Sequence, residues 1–164
     1  FRPDDKRKKL KKLISQDEFY ISIEDDFNPI FLSGLYKETL NKSGFNMSKK
    51  NLDYLIDLMN LANKSFQSDL KTYILQLKSK NNDEIHGFQL LLIGKQKSYA
   101  IAQSVTNYAR SKSASILLTY HAIQFSKKIG CQCFDFNGAN SPKRGDDKHS
   151  FGAHTVPYMD LYIK

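Results

Sequence analysis

Residues 113–129 set the strongest limit on what this chain can fold into. Ile116, Leu117, Leu118, Tyr120, Ala122, Ile123 and Phe125 leave a helix there with little polar surface, so it must be covered on most sides. Lys127 and Lys128 suit the negative end of its dipole, and Gly130 suits its C′ position. Residues 97–105 read as a strand before this helix and residues 131–136 as a strand directly after it. Strand, helix and strand in such close succession form a crossover unit whose two strands run parallel.

The rest of the chain supplies a sheet for that helix. Phe19-Tyr-Ile-Ser-Ile23 is rich in β-branched and aromatic residues and reads as a strand. Asn28 and Pro29 stand as N-cap and first residue of a helix that runs to about Lys42, with Phe31 and Leu35 facing inward and Gly44 as its stop. Ser48 opens a second helix, in which Leu52, Leu55, Ile56, Met59 and Ala62 repeat at three-and-four spacing. Strands over residues 70–77, 84–93 and 97–105 follow, joined by a turn at 79–83 and by Gly94-Lys95-Gln96. Connections this short make an antiparallel meander. A glycine- and charge-rich loop over 137–148 leads to a last strand at 155–163. The expected fold class is therefore α/β: a mixed, mostly antiparallel sheet with one β-α-β crossover and a helix pair near the N-terminus. No internal repeat is visible.

A chain of 164 residues is one domain, and folding at this size buries about 68–70% of its surface. The 11 Phe and 9 Tyr supply core material and argue against a disordered chain. The longest apolar run, residues 90–93, is strand-sized and far short of a membrane span. Arg2, Lys6, Arg7, Lys8, Lys9, Lys11 and Lys12 oppose only Asp4 and Asp5, which places five of the eight net positive charges in the first twelve residues. Leu10, Leu13 and Ile14 lie at helical spacing, so residues 1–16 form a basic helical lead-in that docks on a domain spanning 17–164. Such a helix is either a solvated face or an anchor for phosphate, whether of RNA, an anionic surface or a nucleotide. Cys131 and Cys133 fall on one strand face, poorly placed for a disulfide, and read as buried free thiols of a reducing, cytoplasmic compartment. No spacing of Cys and His resembles a zinc site, so no metal is expected.

This order of elements resembles the GNAT acyltransferase fold. A closer likeness, to the FemAB/FemX branch and its BioF-like acetyltransferase relatives, lies in three stretches: Ser113-Ala-Ser-Ile-Leu-Leu-Thr-Tyr-His-Ala-Ile, Gly130-Cys-Gln-Cys-Phe-Asp-Phe-Asn-Gly-Ala-Asn140 and Ser150-Phe-Gly152. The basic Arg7-Lys-Lys-Leu-Lys-Lys-Leu is similar to the helix that opens such modules. The resemblance implies transfer of an acyl or aminoacyl group to the amine of an amino sugar or peptide, in cell-envelope biosynthesis. The implied donor is acyl-CoA (acetyl-CoA) or aminoacyl-tRNA. Members often carry two modules in tandem, so this chain, which begins at Phe1, is expected to be the C-terminal half of a longer protein, with a second GNAT-like domain upstream.

Such a fold binds its donor where the third meander strand gives way to the buried helix, whose free N–H groups favour phosphate. That assigns Ser104, Val105, Thr106, Arg110, Ser113, Ala114 and Ser115 to the donor, with Ser113 as helix cap. The usual pyrophosphate loop, Gln/Arg-x-x-Gly-x-Gly/Ala, is missing, since no glycine lies between Lys95 and Ile129. Asp135, between Phe134 and Phe136, is a general base, an orienter of the incoming amine, or a structural carboxylate that holds the following turn. Asn137 and Asn140 suit the donor's pantetheine-like arm or adenosine, or make Asx turns. Lys143, Arg144 and Lys148 suit a phosphate of substrate, partly offset by Asp146 and Asp147. Tyr120 reads as core, His121 and His86 as surface residues, and no Ser-His-Asp or Cys nucleophile pattern is present. The alternative from another class is a non-catalytic module that binds RNA or an anionic surface on a decayed transferase fold.

Overall fold

The computed structural model describes residues 4–23, 26–62, 69–137, 148–154 and 156. Its elements in chain order are α1 (Asp4–Gln16), β1 (Phe19–Ser22), α2 (Pro29–Lys42), α3 (Lys49–Asn60), β2 (Lys71–Ser79), β3 (Ile85–Ile93), β4 (Lys97–Val105), α4 (Asn107–Ser111), α5 (Ser115–Lys128) and β5 (Cys133–Asp135). The strands lie in sequence order across one sheet, antiparallel from β1 to β4, with β5 parallel to β4. The expected α/β fold with its β-α-β crossover is what the chain adopts.

Alternation in the central strands splits the apolar residues between two cores. Ile74, Phe88, Leu90 and Ala102 face α2 and α3, where they meet Leu32, Leu55 and Met59. Leu75, Leu77, Leu91 and Ile93 face the other way, onto Leu13 of α1 and Leu117, Leu118 and Ala122 of α5. Burying each of these larger side chains is worth about 1.5–3 kcal/mol, so a sheet covered on both faces holds α5 firmly. The helix signals act as expected. Asn28 accepts the Phe31 N–H at 3.1 Å, and Ser48 accepts that of Asn51 at 3.2 Å. Gly130, at φ +95°, ends α5 in a Schellman motif: its N–H reaches the Lys127 carbonyl at 3.1 Å and the Cys131 N–H that of Ser126 at 3.0 Å.

Other expectations need correction. Phe31 is 47% exposed and Ile14 54%, because each sits on the outer face of a helix that uses a narrower apolar stripe than its sequence offers. β5 is only three residues long and Cys133 is exposed, so its thiol does not join the core. His86 is buried, not on the surface: its Nδ1 lies 3.2 Å from Thr106 Oγ1 and its ring packs edge-on against Phe19. Ser113 does not cap α5. Its φ is +61°, the cap position is Ala114, and no side chain bonds there. The short helix α4 gives no periodic signal in the sequence, because it has only five residues. The strand expected at 155–163 lies outside the described residues except for Val156, which is in no strand.

Candidate functional site

The feature that makes a site is the parting of two parallel strands. β5 pairs with β4 only through Lys97, Ser98 and Tyr99, while β4 continues to Val105. Opposite β3, Leu91 matches Ala100 and Leu90 matches Ala102, so Ile101 is the extra residue of a β-bulge. A bulge bends its strand and sharpens the local twist, which turns this part of β4 away from the line of β5. Beyond Tyr99 the outer edge of β4 has no strand partner among the described residues. Here opens a cleft of about 520 Å³, floored by residues 100–103. Lys6, Lys9, Arg110 and Lys148 line it, and none of its described lining residues is acidic.

One wall comes from α4 and the start of α5. Thr106 caps α4 by accepting the Ala109 N–H at 3.3 Å. The turn that follows is a Schellman motif without glycine: the Ser113 N–H bonds the Arg110 carbonyl and the Ala114 N–H that of Ala109, each at 2.9 Å. Ser113 thus takes the left-handed conformation that glycine adopts without strain, at a cost of about 1 kcal/mol. The first turn of α5 has no side-chain cap, and Ser113, Ser115 and Ile116 line the cleft there; the Ile116 N–H is taken by the Ser113 carbonyl at 3.1 Å. Of the expected donor residues, Arg110, Ser113 and Ser115 line the cleft. Ser104, Val105, Thr106 and Ala114 form its frame instead. Val105 and Ala114 are buried in the core under α5, and the Ser104 hydroxyl donates to the Leu35 carbonyl at 2.9 Å.

The opposite wall comes from β5 and α1. Phe134 and Phe136 share one strand face and line the cleft, with Asn137, Lys148 and Phe151 next to them. Asp135, between the two rings, does not line it. Its carboxylate meets Lys97 Nζ at 3.0 Å and accepts the Asn137 N–H at 2.8 Å. Burial pushes this carboxyl up, but the Asn137 N–H, the Lys97 hydrogen bond and charge, and the Lys148 charge outweigh that and hold it below the usual carboxylate range. Asn137 itself sits at φ +54°, with its carbonyl 3.4 Å from Lys148 Nζ. Asn140, Lys143 and Arg144 lie outside the described residues.

Between the walls stand neutral polar groups that the sequence reading did not single out. Gln103 Nε2 donates to Thr119 Oγ1 at 2.8 Å and to the Ser115 carbonyl at 3.3 Å. Gln89 Nε2 donates to the Ala102 carbonyl at 3.1 Å, and Tyr36 and Thr39 of α2, with Ser43 at its C-cap, close the side nearest α4. Gln89 is buried between Phe88 and Leu90, and a glutamine in such a place is the one signal the sequence offers. The remaining candidates lie elsewhere. His86, His121, Cys131 and Cys133 do not line the cleft, and burial lowers the His121 pKa and raises that of Cys131. Among the described residues no cluster of three His, Cys, Asp or Glu could hold a metal, and no helix is long and apolar enough to cross a membrane.

Residues 4–148 match a family model described as an acetyltransferase (GNAT) domain. No curated protein matches the chain in sequence. Among solved structures, a GNAT family acetyltransferase from Staphylococcus aureus is similar over 88% of this chain and 99% of its own, with a TM-score of 0.55 and 13% identity. Glucosamine-6-phosphate N-acetyltransferase from Arabidopsis thaliana is similar over 89% and 99%, with a TM-score of 0.56 and 13% identity. An aminoglycoside acetyltransferase from an uncultured soil metagenomic sample, in complex with sisomicin, is similar over 91% and 99%, with a TM-score of 0.60 and 15% identity.

Proposed function

The chain belongs to the GNAT acetyltransferase family, and from that premise we propose that it moves an acetyl group from acetyl-CoA to an amine. The observation that carries this reading is the parting of β4 from β5: a strand edge with no strand partner among the described residues runs along the floor of a cleft lined by cations and no described acid. The donor's phosphates lie toward Arg110, Ser113, Ser115 and the N–H groups that open α5. Its amide-bearing arm runs along residues 100–103, where peptide groups on the edge away from β3 can pair with it as a further strand would. Asn137 and Lys148 meet the donor at the opposite rim.

The acceptor's amine nitrogen attacks the thioester carbonyl carbon. A C–N bond forms, the C–S bond breaks, the thiolate leaves and takes a proton, and the ammonium loses one to water. Orientation of the two substrates, with N–H groups of the β4 edge on the developing oxyanion, supplies the rate without a covalent acyl-enzyme. Asp135 serves this by fixing Asn137 and not as a base, since its charge is committed to Lys97.

The acceptor is proposed to be an amino sugar, the class that the names of the Arabidopsis and metagenomic neighbours suggest. A finer reading places the chain in the FemAB/FemX branch, with aminoacyl-tRNA as donor, a cell-envelope peptide as acceptor and a second module upstream; its support is the sequence likeness within residues 113–152. The free thiols accord with a cytoplasmic setting.

Calorimetry with acetyl-CoA and with free CoA tests the proposal. Micromolar binding that Arg110→Ala weakens about tenfold is expected, followed by thiol release when glucosamine 6-phosphate is added. No heat with either thioester or thiol would remove the acyl-CoA reading. Steeply salt-dependent RNA binding in that case would put the RNA-binding module in its place.

A further inference from the structure

We infer that α1 is a wall of the donor site, where Lys6 and Lys9, with the rings of Phe136 and Phe151, hold the purine-nucleotide end of the donor. This rests on the donor reading above. The helix divides its residues sharply. Leu10 and Leu13 pack into the core that contains α5, whereas Lys6 and Lys9, one turn apart, line the cleft. Arg7, Lys8, Lys11 and Lys12 are exposed, and none of them lines it. Two of the six basic residues of α1 are therefore turned to the site and four are not.

The surface beneath Lys6 is aromatic. Lys6 Nζ stands 4.7 Å from the centre of the Phe151 ring. Phe151 lies 6.0 Å from Phe136 at a shallow 32°, and Phe136 meets Phe134 edge-on at 4.9 Å. Phe134 and Phe151 pack against the core, which makes them a rigid backing; Phe136 belongs to neither core cluster and lies on the cleft side. A ring wall with ammonium groups along its rim fits a flat base with a phosphate attached to its sugar, because each base has a π-face and each phosphate takes charge-assisted hydrogen bonds. An amino sugar offers no such face. Coenzyme A and the 3′ end of aminoacyl-tRNA both end in an adenosine next to phosphate, so the wall suits the chemistry that the two share.

Titration calorimetry on the full chain tests this with CoA, with acetyl-pantetheine, which lacks the nucleotide, and with a short RNA ending in CCA. The inner pair Lys6→Ala/Lys9→Ala is compared with the charge-matched outer pair Lys8→Ala/Lys12→Ala, and Phe136→Leu with Phe136→Tyr. The inner pair and Phe136→Leu are expected to weaken CoA at least tenfold, the outer pair less than twofold, and Phe136→Tyr to retain affinity. Thermal melts confirm that each variant is folded. Equal losses for inner and outer pairs would overturn the inference, because the effect would then be one of overall charge; so would CoA affinity that ignores the inner pair. Wild-type protein that binds neither CoA nor acetyl-pantetheine would refute the acyl-CoA reading itself. Binding of the CCA RNA alone, lost in the inner pair and in Phe136→Leu, would keep the wall and assign it to tRNA.

Discussion

The Arg110 guanidinium donates to the Thr39 hydroxyl across 3.2 Å and so ties the cleft wall on α4 to α2. The direction of this bond is fixed by what lies behind it. Ser104 commits its proton to the Leu35 carbonyl at 2.9 Å, so the Thr39 hydroxyl, 2.6 Å from Ser104 Oγ, must be the donor of that pair. Thr39 can then only accept from Arg110. Lys42 makes a second tie between the same helices, reaching Asn107 Oδ1 at 3.0 Å.

Replacing Thr39 by Val removes the acceptor that orients Arg110. The loss of one such bond is worth about 0.5–1.5 kcal/mol, so the KM for the acyl donor should rise about 2–10-fold with little change in kcat. Thr39→Ser keeps the oxygen and should restore the wild-type value. Steady-state kinetics of all three proteins decides; a fall in kcat at constant KM would show that Arg110 is not positioned for the donor.

Gly87 has no room for a side chain. A Cβ there would lie 2.7 Å from the Ser104 carbonyl oxygen and 2.7 Å from Val105 Cγ1, where β3 presses on β4. Gly87→Ala should therefore cost about 1–3 kcal/mol and lower the melting temperature by roughly 3–10 °C. At Gly94 the nearest atom would be 3.6 Å away, so Gly94→Ala should change Tm far less in the same calorimetric scan.

Ser113 holds its left-handed φ of +61° only because the α4–α5 turn requires it. Glycine removes about 1 kcal/mol of backbone strain there and gives part of it back as unfolded-state entropy, so Ser113→Gly should raise Tm by about 1–3 °C. Ser113→Val, with a β-branched side chain in that region, should lower it. A Tm that falls with glycine would mean that the hydroxyl, and not the backbone, holds the turn.

The Asp135–Lys97 pair gives stability a pH signature. The folded-state pKa of Asp135 lies below the ordinary value of about 3.9, so the stabilisation is present above that pH and is lost as pH falls through the lower folded pKa. The stability gap between wild type and Asp135→Asn should therefore be level above about pH 5 and close toward pH 2–3. Urea melts across that range measure it. A gap that stays open at low pH would mean that the aspartate acts through packing, and not through its charge.

Much of the fold can be read from local signals. Asn28-Pro29, Ser48 and Gly130 each act within a few residues of themselves, so the helix limits they imply hold in three dimensions. The apolar α5 between two strands required a crossover, and no other arrangement buries Leu117, Leu118 and Ala122 together. The site was legible only in part. Arg110, Ser113 and Ser115, which line the cleft, are candidates in sequence because they follow a strand and open a buried helix, and Asn137 and Lys148, which also line it, because they belong to the loop after the crossover.

Tertiary structure alone decided the rest. The bulge at Ile101 depends on how β3 and β4 settle into register, a balance of contacts between strands that neither sequence states by itself. Thr39 meets Arg110 across 71 positions of chain, and Lys6 meets Phe151 across nearly the whole of it. Asp135 reads in sequence as a carboxylate buried between two phenylalanines, yet Lys97 on the neighbouring strand neutralises it outside the cleft. Sequence determined which segments are helix or strand and which must be buried, because backbone propensity and hydrophobic periodicity are local. Which side chains share the cleft was left to packing, because the contacts that fix it join residues that only the folded sheet brings within a few ångströms.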